Sequence, residues 1–449
     1  MKQGGRYWRG LLAAVLMSAA TLVAGAADAS EIKLLSDDET ELLLERIIRP
    51  LMQKAALPYH RGNIHIVEDG TLNAFVADGN HLFVNSGTLI KCDNVNELAG
   101  VIAHEIGHIK GGHILRQKLD IREMNRLSLV SAALAGAAGV ISGRADAAMA
   151  VLMGGQSSAL HQFMHYRANE ERAADETAVK LLKAVGQSPK GIAAFMKKIS
   201  KSNRLNGIEE TPYFRTHPVT AERIAFFEKA AENSTGRTTS AEDGTYTKVR
   251  AKLDAYLGKP RNILKKYGND NSLAGKYAKA IAYFKGLEFA KAQQIIGELL
   301  QAEPDNPYFY ELKGQMEFET GKTVQAVKSF RQAYKLAPAS ADMQINLATA
   351  LLEEKEDATN AAEAVGLIDK SLQNYPQAAF LWGLKARAEG VRQNMAAAHY
   401  AAAEYAYLLG DDKASETRIA SALAAHPSAQ LKVKLEDLRL RIKQDKKNR

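Results

Sequence analysis

Apolar residues from Asn94 to Gly112 recur at helical spacing, with Leu98, Val101 and Ile102 forming one stripe. Asn94 or Asn96 can cap the start of this helix, Glu97 sits early against its positive end, and Gly111-Gly112 ends it. The stretch before it changes period. Ile64, Ile66 and Val67, then Asn73-Ala74-Phe75-Val76, then His81-Leu82-Phe83-Val84 read as short strands separated by Gly70 and Gly79. From Leu127 to Ala159 the chain is rich in Ala, Gly, Leu and Val, too interrupted to span a bilayer, and reads as a helical hairpin. The segment from Ala231 to Thr247 has no apolar period and reads as a linker.

The C-terminal half carries a longer period. Pro304 and Pro338 are 34 residues apart, and Ala292, Ala326 and Ala364 each stand twelve residues before Pro304, Pro338 and Pro376. Ile296, Phe330 and Ile368 stand eight before the same prolines, which alternates small and large positions as paired helices require. Tyr310 and Gly314 take the aromatic and small places of a first helix. The interval to Pro376 holds four extra residues around Glu354 to Asn360. A copy ending at Pro427, with Ser415 and Ile419 at the same offsets, comes about one helix late. Stacked pairs of this tetratricopeptide kind present a concave surface for peptides or protein partners.

The helix begun at Asn94 contains His104-Glu105-Ile106-Gly107-His108. Residues four apart fall nearly above one another, so His104 and His108 can aim two imidazole nitrogens at one metal ion. Glu105 lies roughly 100° around the axis. It can reach a water beside the metal without ligating, the place of a general base. A catalytic zinc needs a third protein ligand. The HExxHxxGxxH pattern is met as far as Gly111, but its third histidine would fall on Ile114, and His113 comes one residue early. Otherwise a glutamate from a second helix serves, and Glu171 and Asp175, four apart in Glu171-Arg172-Ala173-Ala174-Asp175, share one face.

These two segments together resemble the HExxH and ExxAD pair of M48 family zinc peptidases. The resemblance implies an α+β zincin-type metallopeptidase domain, mostly helical with a small β-sheet, ahead of the all-α tetratricopeptide-repeat superhelix. It implies one zinc ion held by His104, His108 and Glu171, with Asp175 orienting a ligand histidine. Thr216-His217-Pro218, followed by Arg223-Ile224, resembles the family's THP segment. His217 could bond the oxyanion of the tetrahedral intermediate or occupy the open coordination position and hold the enzyme latent. Arg223 reads as an internal ion-pair partner. Asn73, Ala74, Phe75 and Val76 match the family's edge strand, where extended substrate adds by backbone hydrogen bonds. His65, His81, His161 and His165 match no template and read as structural or solvated, while His113, just beyond the metal helix, could touch a metal ligand from behind.

Lys2, Arg6 and Arg9 precede an apolar run from Leu11 to Ala26, the pattern of a cleaved secretory signal. The single cysteine, Cys92, can form no intrachain disulfide and supplies no lipid-acceptor site after the signal. Of the formal charge of +8, part belongs to the signal and part to the basic tail, and no nucleic-acid motif accompanies it. The organisation read from these signals is a signal peptide over 1–29, a metallopeptidase domain over 30–232, linker and connecting helices over 233–270, and repeats over 271–449.

Signal, metal motifs and repeats together resemble the periplasmic, repeat-bearing M48 peptidases that attend β-barrel assembly. That resemblance implies degradation of misfolded or stalled outer-membrane proteins and assistance to their assembly, with the repeats meeting the assembly machinery. A competing reading is a chaperone or adaptor whose zinc is latent or structural. Peripheral contact with a membrane is a further expectation, and nucleic acid is not an expected partner.

Overall fold

The computed structural model describes residues 33–77, 80–113, 167–206, 213, 217–232, 234, 240–354 and 357–448. The signal, the hairpin over 127–159, His161 and His165 lie outside the described residues. In chain order the first elements are strand β1 (Leu34–Leu35) and helix α1 (Asp38–Ala55). The chain divides into two compact units, residues 40–250 and residues 1–39 with 251–449.

In the first unit, α1 buries Leu43, Leu44, Ile47, Ile48 and Leu51 on one face, the spacing of an amphipathic helix. Strands β2 (Ile64–Val67), β3 (Ala74–Ala77) and β4 (His81–Asn85) follow the predicted runs. β4 lies between the other two, parallel to β2 with His65 opposite Phe83 and antiparallel to β3 with Phe75 opposite Phe83. One face buries Ile66, Ala74, Val76, Leu82 and Val84. The other carries a row of rings: His65 stacks on Phe83 at 4.6 Å, and Phe83 on Phe75 at 4.9 Å. β3 forms one edge of the sheet.

After the short helix α2 (Ser86–Lys91) comes α3 (Val95–Gly111), which carries the metal motif. Asn94 caps it, its side chain accepting from the N–H groups of Asn96 and Glu97, and Gly112 closes it in the left-handed conformation. α3 is buried on all sides from Val95 to His108, which explains an apolar content higher than a surface helix carries. A further helix, α4, is described from 167 to 184, followed by helices Lys190–Asn206 and Ala221–Glu232. The expected linker is only partly non-helical. Ser240–Leu257 is one helix, whose Tyr246 is fully buried and donates its hydroxyl to the carbonyls of Leu89 and Cys92. One aromatic anchors a segment whose Ser, Thr, Glu, Asp and Gly content concealed it.

The second unit is built of paired helices: Leu273–Lys285 with Phe289–Ala302, Pro307–Glu319 with Thr323–Leu336, and Ala341–Glu354 with Ala358–Asn374. The expected small positions Ala292, Ala326 and Ala364 are wholly buried, with Ile296, Phe330 and Ile368 beside them in the core. Each large side chain so buried contributes roughly 1.5–3 kcal/mol. Gly314 lies against the Phe330 ring, where any side chain would collide. The extra residues lengthen the helix Ala358–Asn374, and the late fourth copy holds the additional helix its spacing requires. Ala379–Val391, Met395–Leu408 and Asp412–Ala424 run in succession before the closing helix Ala429–Asn448. Ser415 and Ile419 are buried as their offsets predict.

Candidate metal centre

α3 and α4 cross closely because Gly107, inside the metal motif, has no side chain; a Cβ there would lie 2.7 Å from the Ala174 carbonyl oxygen. That approach delivers Glu171 and Asp175 to the two histidines of α3. His104 Nε2 stands 3.1 Å from His108 Nε2 and 3.3 Å from Glu171 Oε2, and His108 Nε2 stands 3.3 Å from Glu171 Oε1. His217 joins them, its Nδ1 3.3 Å from His104 Nε2 and 3.0 Å from Glu171 Oε1. One donor atom from each of these four buried residues lies within 4.8 Å of the others. Donors about 2.0–2.1 Å from a tetrahedral zinc stand about 3.3 Å apart, so the observed separations suit such an ion.

Glu105 is buried one position along α3, its Oε1 3.5 Å from His217 Nε2. Asp175 reaches the far side of His104, Oδ1 to Nδ1 at 2.9 Å, which leaves Nε2 to face the cluster. Arg223 forks onto Asp175, Nε to Oδ2 at 2.7 Å and Nη2 to Oδ1 at 2.8 Å, while its Nη1 lies 2.9 Å from Glu171 Oε2. The expected ion-pair role of Arg223 is the one observed.

The electrostatics fit a place for a cation. Burial alone would raise Glu171, but His217, His104 and His108 hold it well below the ordinary carboxylate range. Burial would likewise raise Asp175, and Arg223 and His104 hold it down. For His104 burial works downward, yet Asp175 and Glu171 outweigh it and lift the imidazole to about 9. His108 and His217 are lowered by burial, and burial pushes Glu105 up to about 7 against the pull of His104 and His108. Glu171, strongly favoured in the charged form, and the converging imidazole nitrogens of His104, His108 and His217 form the donor set of a divalent ion, with Asp175 charged behind His104.

A model of peptidase family M48 matches residues 38–231, and a tetratricopeptide-repeat model matches residues 277–341 and 320–379. A protease HtpX homolog of Thermococcus sibiricus is 30% identical over 235 residues, 45% of this chain and 77% of that protein. The chain belongs to peptidase family M48. It is a metal-dependent endopeptidase with C-terminal tetratricopeptide repeats. Similar too are proteins named β-barrel assembly-enhancing protease. That of Yersinia pestis is 25% identical over 76% of this chain and 70% of its own length, and that of Escherichia coli is 24% identical over 85% and 76%. None of the described helices is long and apolar enough to cross a membrane.

Two further residues adjoin the cluster, and only the first carried no signal in the motifs. Tyr213 is fully buried with its ring 4.8 Å from that of His217, and its carbonyl accepts the His217 N–H at 2.7 Å. An aromatic four residues before His217 was the available clue. His113, one residue early for the HExxHxxGxxH pattern, is buried with its Nδ1 3.0 Å from His108 Nδ1.

β3 holds Ala74, Phe75 and Val76 in the expected extended form. The peptide groups of Asn73 are engaged internally: its N–H donates to Thr88 Oγ1, and its carbonyl accepts from the Asn85 N–H and the Thr88 hydroxyl.

Proposed function

We propose that this chain is an exported zinc endopeptidase that degrades misfolded or stalled outer-membrane proteins and assists their assembly in the periplasm. The observation that carries the reading is the convergence of His104, His108, Glu171 and His217 beside Glu105, in a chain similar over most of its length to the β-barrel assembly-enhancing proteases. His104, His108 and Glu171 are the proposed ligands of one zinc, with Asp175 fixing the tautomer of His104. Zinc, when bound, supplies a Lewis acid that polarises the scissile carbonyl and acidifies the water beside it. Glu105 takes the proton given up by the attacking water and passes it to the leaving nitrogen.

Side-chain period and hydrogen-bond parity support β3 as the proposed substrate edge. Asn73 turns its carbonyl towards β4, so its alternate neighbours Ala74 and Val76 turn their peptide groups outward, where an extended polypeptide can add. Leu72, on the same outward side, accepts the N–H of Tyr213 at 3.3 Å. The outward edge thus leads to the segment that carries His217. Selection by backbone pairing favours unfolded chains over particular sequences.

The position of His217 Nδ1 supports the latent role over the oxyanion role, because it stands among the ligand atoms and not beyond them. As a fourth donor it holds the place the attacking water needs, and cleavage requires its departure.

Recruitment belongs to the repeats. First helices of three successive pairs, with residues 35–37 and the end of the helix Ser240–Leu257, line a pocket of about 150 Å3 whose walls include Glu311, Phe318, Asp342, Ile345 and Phe380. A groove of mixed apolar and acidic character suits an unfolded precursor or a subunit of the assembly machinery. The test is cleavage of an unfolded outer-membrane β-barrel protein by the zinc-loaded chain, beside Glu105→Gln and His217→Ala at equal metal content. Cleavage by the unmodified chain or by His217→Ala, absent in Glu105→Gln, supports the enzyme. Silence in all three, with envelope function intact in Glu105→Gln, supports an adaptor.

A further inference from the structure

The end of α3 is shaped around one side chain. Gly112 takes a left-handed conformation, φ 63°, and turns the chain sharply at the helix end. That turn carries His113 back beneath the helix it has just left. Gly111 provides the space: a Cβ at that position would fall 2.1 Å from His113 Nε2 and 2.6 Å from its Cδ2 and Cε1. The result is a buried imidazole, 5% exposed, with its Nδ1 3.0 Å from His108 Nδ1 and the two rings edge to face, centroids 4.9 Å apart.

The direction of the hydrogen bond follows from what His108 must do. Its Nε2 faces the cluster and needs a bare lone pair to ligate, so the ring proton sits on Nδ1 and is donated. His113 Nδ1 is then the acceptor, and the proton of His113 sits on its own Nε2. We propose that His113 is a positioning residue of the metal centre, holding His108 in the tautomer and ring orientation that present Nε2 to the ion. The Gly111-Gly112 pair is the backbone device that brings it there.

Each helix histidine thereby has its own orienting partner on the side away from the ion. Asp175 holds His104 through Nδ1, and His113 holds His108 through Nδ1. The two partners differ in kind. Asp175 is a carboxylate braced by Arg223, whereas His113 is an imidazole that orients its partner through one ring nitrogen. This assignment rests on His108 being a metal ligand, and the experiment separates failure of that reading from failure of the present one.

The measurement is zinc affinity of the full chain by chelator competition, with the visible spectrum of the cobalt(II)-loaded protein as a second readout. His113→Phe keeps a flat ring but removes the acceptor; zinc should bind about 10- to 100-fold more weakly, with a changed cobalt spectrum. His113→Asn places an amide oxygen near the position of Nδ1 and should retain affinity within a few-fold. Gly111→Ala, which leaves every ligand and His113 in the sequence but displaces the imidazole, should weaken binding as His113→Phe does. His108→Phe is the control for the underlying assignment: if it binds zinc as tightly as the unmodified chain, His108 is no ligand and both readings fall. If His108→Phe loses zinc while His113→Phe and Gly111→Ala keep unchanged affinity and spectrum, His113 is a packing residue only. Should His113→Phe not fold, the contrast between His113→Asn and Gly111→Ala decides, and equal affinity in both overturns the proposal.

Discussion

Arg223 holds Asp175 through two parallel bonds, Nε to Oδ2 at 2.7 Å and Nη2 to Oδ1 at 2.8 Å, and Asp175 in turn meets His104 Nδ1 at 2.9 Å. The guanidinium reaches His104 only through Asp175, yet its planar fork sets the angle of the carboxylate. Arg223→Lys keeps the charge but loses the fork. Zinc affinity is expected to fall about 10- to 100-fold, measured by chelator competition, with the fold retained by circular dichroism. Unchanged affinity would leave Arg223 as a counter-charge to Glu171 alone.

Replacing Glu105 by Gln removes the proton acceptor while keeping the shape of the side chain. Cleavage of an unfolded β-barrel protein should drop by at least about 10²- to 10⁴-fold, with zinc content by atomic absorption unchanged. A variant that cuts at the original rate would place the base elsewhere.

His217→Ala withdraws the fourth donor. The proposed latency predicts faster cleavage and weaker retention of zinc in the same variant, because one change opens the site and removes one ligand. Slower cleavage with unaltered zinc retention would instead favour the oxyanion role.

At the turn within the first helix pair Leu287 adopts φ 63° and is 65% exposed, and 34 residues later Gly321 fills the same place with φ 76°. A side chain in this left-handed region costs about 1–2 kcal/mol, and an exposed leucine gives little burial back. Leu287→Gly should raise the thermal midpoint of the chain, by about 1 kcal/mol of stability once the added freedom of glycine in the unfolded state is counted. A lowered midpoint would mean that Leu287 packs against something in solution.

His65 lies on the open face of the sheet, 2.9 Å from His81 through Nε2 and Nδ1. Burial, aided by the neighbouring His81, lowers it from 6.5 to about 4. A folded value below the ordinary one means that the unfolded chain takes up the proton first. Stability from this group is therefore complete above pH 6.5 and lost as the pH falls towards 4. Melts recorded between pH 7.5 and 4.5 should decline less steeply for His65→Phe than for the unmodified chain; equal slopes would show that His65 does not titrate with unfolding.

Much of the metal centre was legible because its spacing is local. His104 and His108 share a helical face by arithmetic, and Glu171 and Asp175 do the same on α4. What joins the two helices is not local: nothing in the periodicity says that Gly107 is the point of closest approach. Tyr213 was invisible for the same reason, since its role is a ring contact with His217 that no motif or period marks. The repeats were readable from proline spacing, with the burial of Ala292, Ala326 and Ala364 matching their predicted places. The helix Ser240–Leu257 was not, because its early turns are polar and its buried apolar residues run from Tyr246 through Val249, Ala251 and Leu253 to Ala255.

The ammonium of Lys252 is buried against Asp37 and within 3.2 Å of Glu39 Oε2, joining positions more than 200 residues apart in sequence within the repeat-bearing unit. A fragment starting at residue 251 would strand that cation without its carboxylates, so this half of the molecule is not severable by a single cut. On the ribosome the same bond imposes a schedule. The stretch at 33–39 emerges early and stays unmatched until the later half has been synthesised. The repeat-bearing unit can therefore close around Lys252 only after the whole polypeptide has been made.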